Sequence, residues 1–112
     1  MKKILYILIF LLTFTNMAFA DTCSNCNMNE FNVYCVGFNG ALVKTVAGED
    51  ASRVTVLRGI TYIRDMGQGM YGEKTLEFIA RGAQSFDEIC QATNMKSQDC
   101  QDTLKECAPL LR

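Results

Sequence analysis

The sequence predicts an all-α fold, a small disulfide-stapled bundle of about four to five short helices. Apolar residues recur at three- and four-residue steps in several segments, which is the period of a helix that buries one face. Glycines and helix-capping residues separate those segments. Three cysteines precede residue 36 and three follow residue 89 of the 112-residue chain, so disulfides can tie the first helix to the last ones.

The first twenty residues have the pattern of a signal peptide. Lys2 and Lys3 form a positive start, residues 4–14 are apolar, and residues 18–20 are a small-x-small cleavage site. The apolar run is shorter than the roughly 20 residues that span a bilayer. We therefore expect a signal peptide over residues 1–20, with no stable membrane anchor after its cleavage. The remaining domain would be exported to the periplasm, or alternatively secreted.

After cleavage, residues 21–112 form one domain whose composition argues against several functions. The whole chain has eleven Lys and Arg against twelve Asp and Glu; without Lys2 and Lys3 the net charge is −3. No basic run is present, which argues against nucleic acid and anionic lipid as partners. Histidine, the commonest general base, is absent, and the carboxylate pairs are explained as helix starts. We therefore expect no catalytic residue, no cofactor, no metal site and no enzymatic activity.

Residues 31–46 give the strongest helical pattern in the chain. Its apolar face is formed by Phe31, Tyr34, Cys35, Phe38 and Leu42. Gly37, Gly40 and Ala41 form a small-residue patch beside that face, where a second backbone can approach closely. Each mid-helix glycine costs roughly 1 kcal/mol relative to alanine. Close packing or strain is therefore needed to explain the two glycines.

Gly48 is predicted to end this helix, and the acidic residues 49 and 50 to begin the next. Residues 51–65 are ambiguous, because their β-branched content also suits a strand. Their length without a turn signal favours a helix. The apolar face of that helix would contain Val54, Leu57, Ile60 and Ile63. Its solvated face would carry Arg53, Arg58 and Arg64, for which a binding role is the alternative.

Residues 66–72 contain three glycines, which break the preceding element. This segment also carries Met66, Met70 and Tyr71. Apolar side chains on a flexible loop are poor core material, and Met and Tyr are enriched at interfaces. We therefore predict that these three residues bind a partner. The alternative is that the loop folds back and that Met70 and Tyr71 cover the small-residue patch.

The last third of the chain reads as three short helices. Residues 74–83 form the first, which Gly82 closes. Ser85 and Glu88 form a capping box that opens the second. Ser97 caps the third. The residues that share one face of this third helix are Cys100, Leu104 and Cys107.

The cysteines predict up to three disulfides and no free thiol. They are Cys23, Cys26, Cys35, Cys90, Cys100 and Cys107. Within one helix, Cys100 and Cys107 would be about 10 Å apart along the axis, beyond the limit of about 7 Å for bridged Cα atoms. Cys90 and Cys100 flank a turn and are the first expected pair. Cys107 is then left for Cys35, Cys23 or Cys26.

Cys23 and Cys26 have the CxxC spacing of thiol–disulfide oxidoreductases, and with two more cysteines that of a zinc site. The redox motif normally follows a strand, whereas this one lies a few residues from the expected mature N-terminus. An oxidising compartment also favours disulfides over thiolate ligands. We therefore favour a structural disulfide over both alternatives.

Residues 34–38, Tyr-Cys-Val-Gly-Phe, with the following Gly40, resemble the aromatic-Cys-x-Gly-aromatic helix of Rap/Tai-like immunity proteins. These are small exported helical proteins that neutralise type VI secretion effectors in the periplasm. The Cys-x-Pro step that often follows the first helix in that family has no match here. The resemblance covers about a fifth of the mature chain and implies a protein that binds and inhibits an effector.

A fainter resemblance is to the HdeA/HdeB acid-stress chaperones, which are also small, exported, helical and disulfide-tied. It rests on Cys26, on Glu30 and Phe31 near the start of the mature chain, and on Ile89 and Cys90 near its end. The resemblance implies the same architecture as the first one. It differs in function, because such a chaperone exposes apolar surface when its carboxylates are protonated at low pH.

We therefore expect a small exported periplasmic binding protein, an immunity-type inhibitor whose partner is a protein such as a secreted effector. The alternatives are an acid-stress chaperone, a secretion or envelope-assembly factor, and a CxxC thiol–disulfide oxidoreductase. The sequence leaves the partner's identity and the oligomeric state open, including a homodimer. An effector gene in a neighbouring reading frame would support the immunity function. Exposure of apolar surface at low pH would support the chaperone function, and reduction of insulin would support the oxidoreductase function.

Overall fold

A computed structural model describes residue 23, residues 25–70 and residues 72–111 of this protein. Over these ranges the secondary structure is entirely helical. The described residues form four α-helices, α1 (Met28–Ala47), α2 (Glu49–Asp65), α3 (Glu73–Ile89) and α4 (Gln98–Cys107), with 3-10 turns at Gln91–Thr93 and Ala108–Leu111. The predicted all-α fold is confirmed, and residues 51–65 are helix rather than strand. The predicted signal peptide, residues 1–20, lies outside the described residues.

The ends of α1 follow directly from local sequence. The Asn27 side chain accepts a hydrogen bond from the Glu30 backbone N–H (2.8 Å), and the Asn27 backbone N–H donates to the Glu30 carboxylate (2.9 Å). This reciprocal pair is a capping box, which satisfies two N–H groups that the first turn leaves unpaired. At the other end Gly48 adopts a φ of +96°, a conformation that favours glycine. Gly48 therefore ends α1, as predicted, and α2 begins at the next residue.

Helix α1 is the centre of the fold, because both α2 and α3 pack against it. Its residues 32–40 are all buried. Nine consecutive residues point in every direction around a helix, so α1 is enclosed on all sides over this stretch. One side contributes Tyr34, Cys35 and Phe38 to a cluster with α3 and α4. The other side contributes Val33 and Val36 to a second cluster, which also contains residues of α2 and α3.

The backbones of α1 and α3 are in direct contact at two reciprocal glycines. A Cβ atom at Gly37 would overlap the carbonyl oxygen of Ile79 and lie 2.7 Å from its carbonyl carbon. A Cβ atom at Gly82 would overlap the carbonyl oxygen of Tyr34 and lie 2.7 Å from the backbone nitrogen of Phe38. The close backbone approach predicted at the small-residue patch is thereby confirmed for Gly37. Close packing also explains why α3 contains a glycine.

The predicted break in α3 is wrong, because the helix runs without interruption through Gly82 to Ile89. The capping box predicted at Ser85 and Glu88 does not form. Ser85 is instead fully buried in the middle of the helix, where its Oγ accepts a hydrogen bond from the Tyr34 hydroxyl at 2.5 Å. Ser85, which resembles a helix-capping residue in the sequence, therefore makes a buried polar contact with α1 instead.

The orientation of α2 also differs from the sequence pattern. Of the four residues expected on the inner face, Ile63 is buried and Ile60 is half-buried, but Val54 and Leu57 are exposed. Gly59 is also buried. Gly59 explains the difference, since a Cβ atom there would lie 2.9 Å from a Val36 methyl group of α1. The close approach at this glycine turns the neighbouring apolar residues outward. The three arginines of α2 are exposed, as predicted.

Three disulfides complete the fold, and no cysteine is free. Cys90–Cys100 spans the turn between α3 and α4, which confirms the first expected pair. Cys35–Cys107 joins the middle of α1 to the end of α4, which settles the predicted choice for Cys107. The remaining bond is Cys23–Cys26. Ser97 caps α4 as predicted, its Oγ accepting from the Cys100 backbone N–H at 3.0 Å.

Candidate functional site

The outward side of α2 is the strongest candidate for a binding surface. Its side chains Leu57 and Tyr62 are 65% and 44% exposed, and Met66, which follows the helix, is 55% exposed. Leu57 and Tyr62 border one shallow depression of about 370 Å³. Met66 belongs to a different side of the helical turn, because it lies seven residues after the buried Gly59 and three after the buried Ile63. Val54, Leu57 and Tyr62 are named the α2 outer surface.

Charged side chains lie beside the apolar residues of the α2 outer surface. Arg58 and Asp65 line the same depression as Leu57 and Tyr62, one carrying each sign of charge. Arg53 and Arg64 are also exposed on α2. Apolar patches rimmed by polar groups are typical of protein interaction sites, whereas single exposed apolar residues are ordinary. The shared depression indicates that Leu57 and Tyr62 belong to one patch.

Sequence reasoning missed Leu57 and Tyr62 as surface residues, although a signal was present. Residues 54–63 carry apolar side chains on more sides than one helix face can bury: Val54, Val56, Leu57, Ile60, Tyr62 and Ile63. When one side of such a helix packs against a neighbour, the apolar residues on its other sides stay exposed to water. The large number of apolar residues therefore indicates a second apolar surface, but does not indicate which residues form it.

The three residues predicted to bind a partner have different positions. Met66 is the C-terminal cap of α2 and is exposed. Met70 is half-buried and packs against the cluster formed by Val33, Val36, Ile63 and Phe78. Tyr71 lies outside the described residues. Of the two described residues of this set, Met66 is therefore exposed at the end of α2 and Met70 packs inward.

Backbone hydrogen bonds hold the segment that follows α2. The Gln68 N–H donates to the Ile63 carbonyl at 2.8 Å, and the Gly67 N–H donates to the Arg64 carbonyl at 2.9 Å. The Asn32 side chain also donates to the Gln68 carbonyl at 3.4 Å. The small-residue patch that the loop was alternatively expected to cover instead faces α3 at Gly37 and α2 at Gly40.

A second groove, of about 450 Å³, opens between the later part of α1, the start of α2 and the end of α3. Its floor includes Gly40, Ala41 and Ala83, and its polar lining includes Lys44 and Asp87. The Ser52 hydroxyl on its wall donates to the Gly40 carbonyl at 2.7 Å. The lining of this groove therefore combines small residues with one charge of each sign.

The Cys23–Cys26 disulfide lies immediately before α1. Its two cysteines are half-buried, and the Cys26 N–H donates to the Cys23 carbonyl at 3.2 Å. All six cysteines are paired in three disulfides. Across the part of the chain that the structure describes, no group of three or more His, Cys, Asp or Glu residues is placed to hold a metal ion. Within the same ranges, no helix is long and apolar enough to cross a membrane.

Comparisons with known proteins identify no relative. No protein-family model matches the chain. No curated protein and no solved structure matches it either.

Proposed function

We propose that this chain is a small exported protein that binds a partner protein, as an immunity-type inhibitor of a secreted effector. The observation that carries the proposal is the α2 outer surface, where Val54, Leu57 and Tyr62 expose apolar area beside charged groups. Aromatic residues such as tyrosine are enriched at protein interfaces. The sequence features of residues 1–20 and the three disulfides support export to an oxidising compartment.

The fold supplies a rigid base for such a surface. α2 packs on α1, and α1 is fixed to α4 by the Cys35–Cys107 disulfide. A surface that is already ordered loses less conformational entropy on binding than a flexible one. An inhibitor needs only to bind and cover its target, so a rigid surface without further machinery is sufficient for that role.

A protein is the partner class that fits the charges best. Arg58 and Asp65 border the same depression, so the surface offers both signs of charge side by side. Nucleic acid and anionic lipid would instead be attracted by a continuous basic surface. The resemblance of residues 34–38 to the immunity family supports the finer proposal of an effector as the partner.

Leu57→Asp tests the surface directly, with Leu76→Asp as a matched control. Both leucines are helical and similarly exposed, at 65% and 70%, but Leu76 lies on α3. We expect Leu57→Asp to weaken binding at least about 30-fold, the effect of losing a central interface contact worth about 2 kcal/mol. Leu76→Asp should leave affinity within about threefold, and both variants should keep the wild-type melting temperature, because neither leucine is buried.

The measurement is calorimetric titration of the purified mature chain with the purified products of its neighbouring reading frames, together with inhibition of any activity those products have. Equal binding by wild type, Leu57→Asp and Leu76→Asp would place the interface away from α2. Absence of both binding and inhibition for every neighbouring product would contradict the immunity role.

A further inference from the structure

The six cysteines fall into two groups by their access to solvent. Cys35, Cys90, Cys100 and Cys107 are at most 1% exposed. Cys23 and Cys26 are half-buried. A disulfide is broken when an incoming thiolate attacks one of its sulfur atoms, so the rate depends on access to that sulfur. Cys23 packs against both core clusters and Cys26 against one, yet both keep exposed area that the other four cysteines lack. The bond before α1 is therefore the most accessible of the three.

The Cys23–Cys26 bond also closes the shortest loop of the three disulfides. Its cysteines are 3 residues apart, whereas the other bridges span 72 and 10 residues. A short loop gains less stabilisation from being closed than a long one. The start of α1 is also held by the Asn27–Glu30 capping box, which does not depend on the sulfur atoms. Breaking the bond should therefore leave α1 and its packing in place.

Two electrostatic effects at the N-terminal end of α1 act on a thiolate in opposite directions. The positive end of the helix dipole favours a thiolate at Cys23 or Cys26. The Glu30 carboxylate lies in the first turn and opposes it by like charge. Access and loop length therefore carry the inference, and thiolate stabilisation does not.

We propose that Cys23–Cys26 is a thiol–disulfide exchange site whose substrates are dithiols, either a dithiol protein or a small dithiol. A thiolate of the dithiol attacks one cysteine sulfur, forms a mixed disulfide and releases the other cysteine as a thiolate, which takes up a proton. The second thiol of the dithiol then attacks its own sulfur in the mixed disulfide and releases the first cysteine. Two electrons and two protons move to Cys23 and Cys26, and the dithiol becomes a disulfide.

The test is graded reduction of the folded, oxidised protein by dithiothreitol, followed by alkylation and peptide mass spectrometry. We expect Cys23 and Cys26 to be alkylated at a dithiothreitol concentration at least about tenfold below that required for the other four cysteines. The far-ultraviolet circular dichroism spectrum should be unchanged at that concentration. Simultaneous reduction of all three bridges, or reduction of Cys23–Cys26 only as the protein unfolds, would overturn the proposal.

Two variants complete the test. Cys23→Ser/Cys26→Ser should fold and should lose the alkylation seen at low dithiothreitol. Cys26→Ser alone leaves a thiol at Cys23, which should form a mixed disulfide with oxidised glutathione, detected as a mass increase of one glutathione. Cys23→Ser tests the other sulfur in the same way. Failure of both single variants to react while folded would show that neither sulfur is accessible and would contradict the proposal.

Discussion

Gly82→Ala should destabilise the protein by at least about 3 kcal/mol, more than is usual for the addition of one methyl group. The new Cβ atom would overlap the carbonyl oxygen of Tyr34 and lie 2.7 Å from the Phe38 nitrogen. Both are backbone atoms of the enclosed helix α1, so neither can move away as a side chain could. Relief requires separation of α1 from α3, which opens the core between them. Gly37→Ala should have a similar effect through Ile79.

The controls are glycines whose added Cβ atom meets something softer or nothing close. Gly59→Ala would meet a Val36 methyl group at 2.9 Å, and Gly40→Ala a Val56 methyl group at 2.6 Å. Side chains can adjust, and alanine is about 1 kcal/mol better than glycine in a helix, so we expect smaller losses. Gly69→Ala has no atom closer than 3.7 Å and should be nearly neutral.

Urea unfolding at equilibrium measures all five variants on one scale. The expected order of destabilisation is Gly82 and Gly37 first, then Gly40 and Gly59, then Gly69. If Gly82→Ala and Gly59→Ala lost the same free energy of unfolding, the direct contact between the α1 and α3 backbones would be contradicted.

Removal of the Cys35–Cys107 bridge should be the most damaging change to the disulfide framework. In the chain-entropy model, a bridge between residues 72 positions apart contributes about 4 kcal/mol, one 10 apart about 3, and one 3 apart about 2. Both Cys35 and Cys107 are also buried, so serine at either position places a hydroxyl in an apolar core. Cys35→Ser/Cys107→Ser should therefore lose more than about 4 kcal/mol.

Thermal melts of three paired serine variants test this ranking, one pair for each bridge. Cys90→Ser/Cys100→Ser is the control for removal of a buried bridge with a shorter loop. Cys23→Ser/Cys26→Ser is the control for removal of an accessible one. If the variant without Cys35–Cys107 melted within a degree or two of wild type, the bridge from α1 to α4 would not hold the bundle together.

Local sequence signals were sufficient where the structure is determined locally. Gly48 marks the boundary between α1 and α2, and Ser97 caps α4, because each acts through its own backbone or its immediate neighbours. The length of a helical rise correctly excluded a bridge between Cys100 and Cys107. The positions of Cys90 and Cys100 on either side of a turn made them the first expected pair, which the structure confirms.

Features that depend on tertiary packing could not be predicted from local sequence signals. Gly82 resembles a helix stop, yet it lies inside α3 because the backbone of α1 occupies the space of a Cβ atom. Ser85 resembles a helix start, yet its hydroxyl is used by Tyr34, a residue 51 positions away. Glycine and serine have both local and long-range uses, and one sequence does not distinguish them.

The candidate site was predictable only in part for the same reason. Met66, predicted to bind a partner, is exposed, and its binding role stays a prediction. Met70 comes from the same segment but packs into the second core cluster. Leu57 is exposed because Gly59 determines which side of α2 faces α1. The direction of an amphipathic helix with excess apolar residues depends on its neighbours, which the periodicity alone does not specify.

The central claim is that an exported chain is held as one helical unit by three defined disulfides, and non-reducing peptide mapping of the protein recovered from the exported fraction tests it most directly. The account predicts an N-terminus at Asp21, no titratable thiol, and linked peptides for Cys35–Cys107, Cys90–Cys100 and Cys23–Cys26. A chain retained inside the cell with free thiols, or a bridge from Cys107 to Cys23 or Cys26, would contradict it.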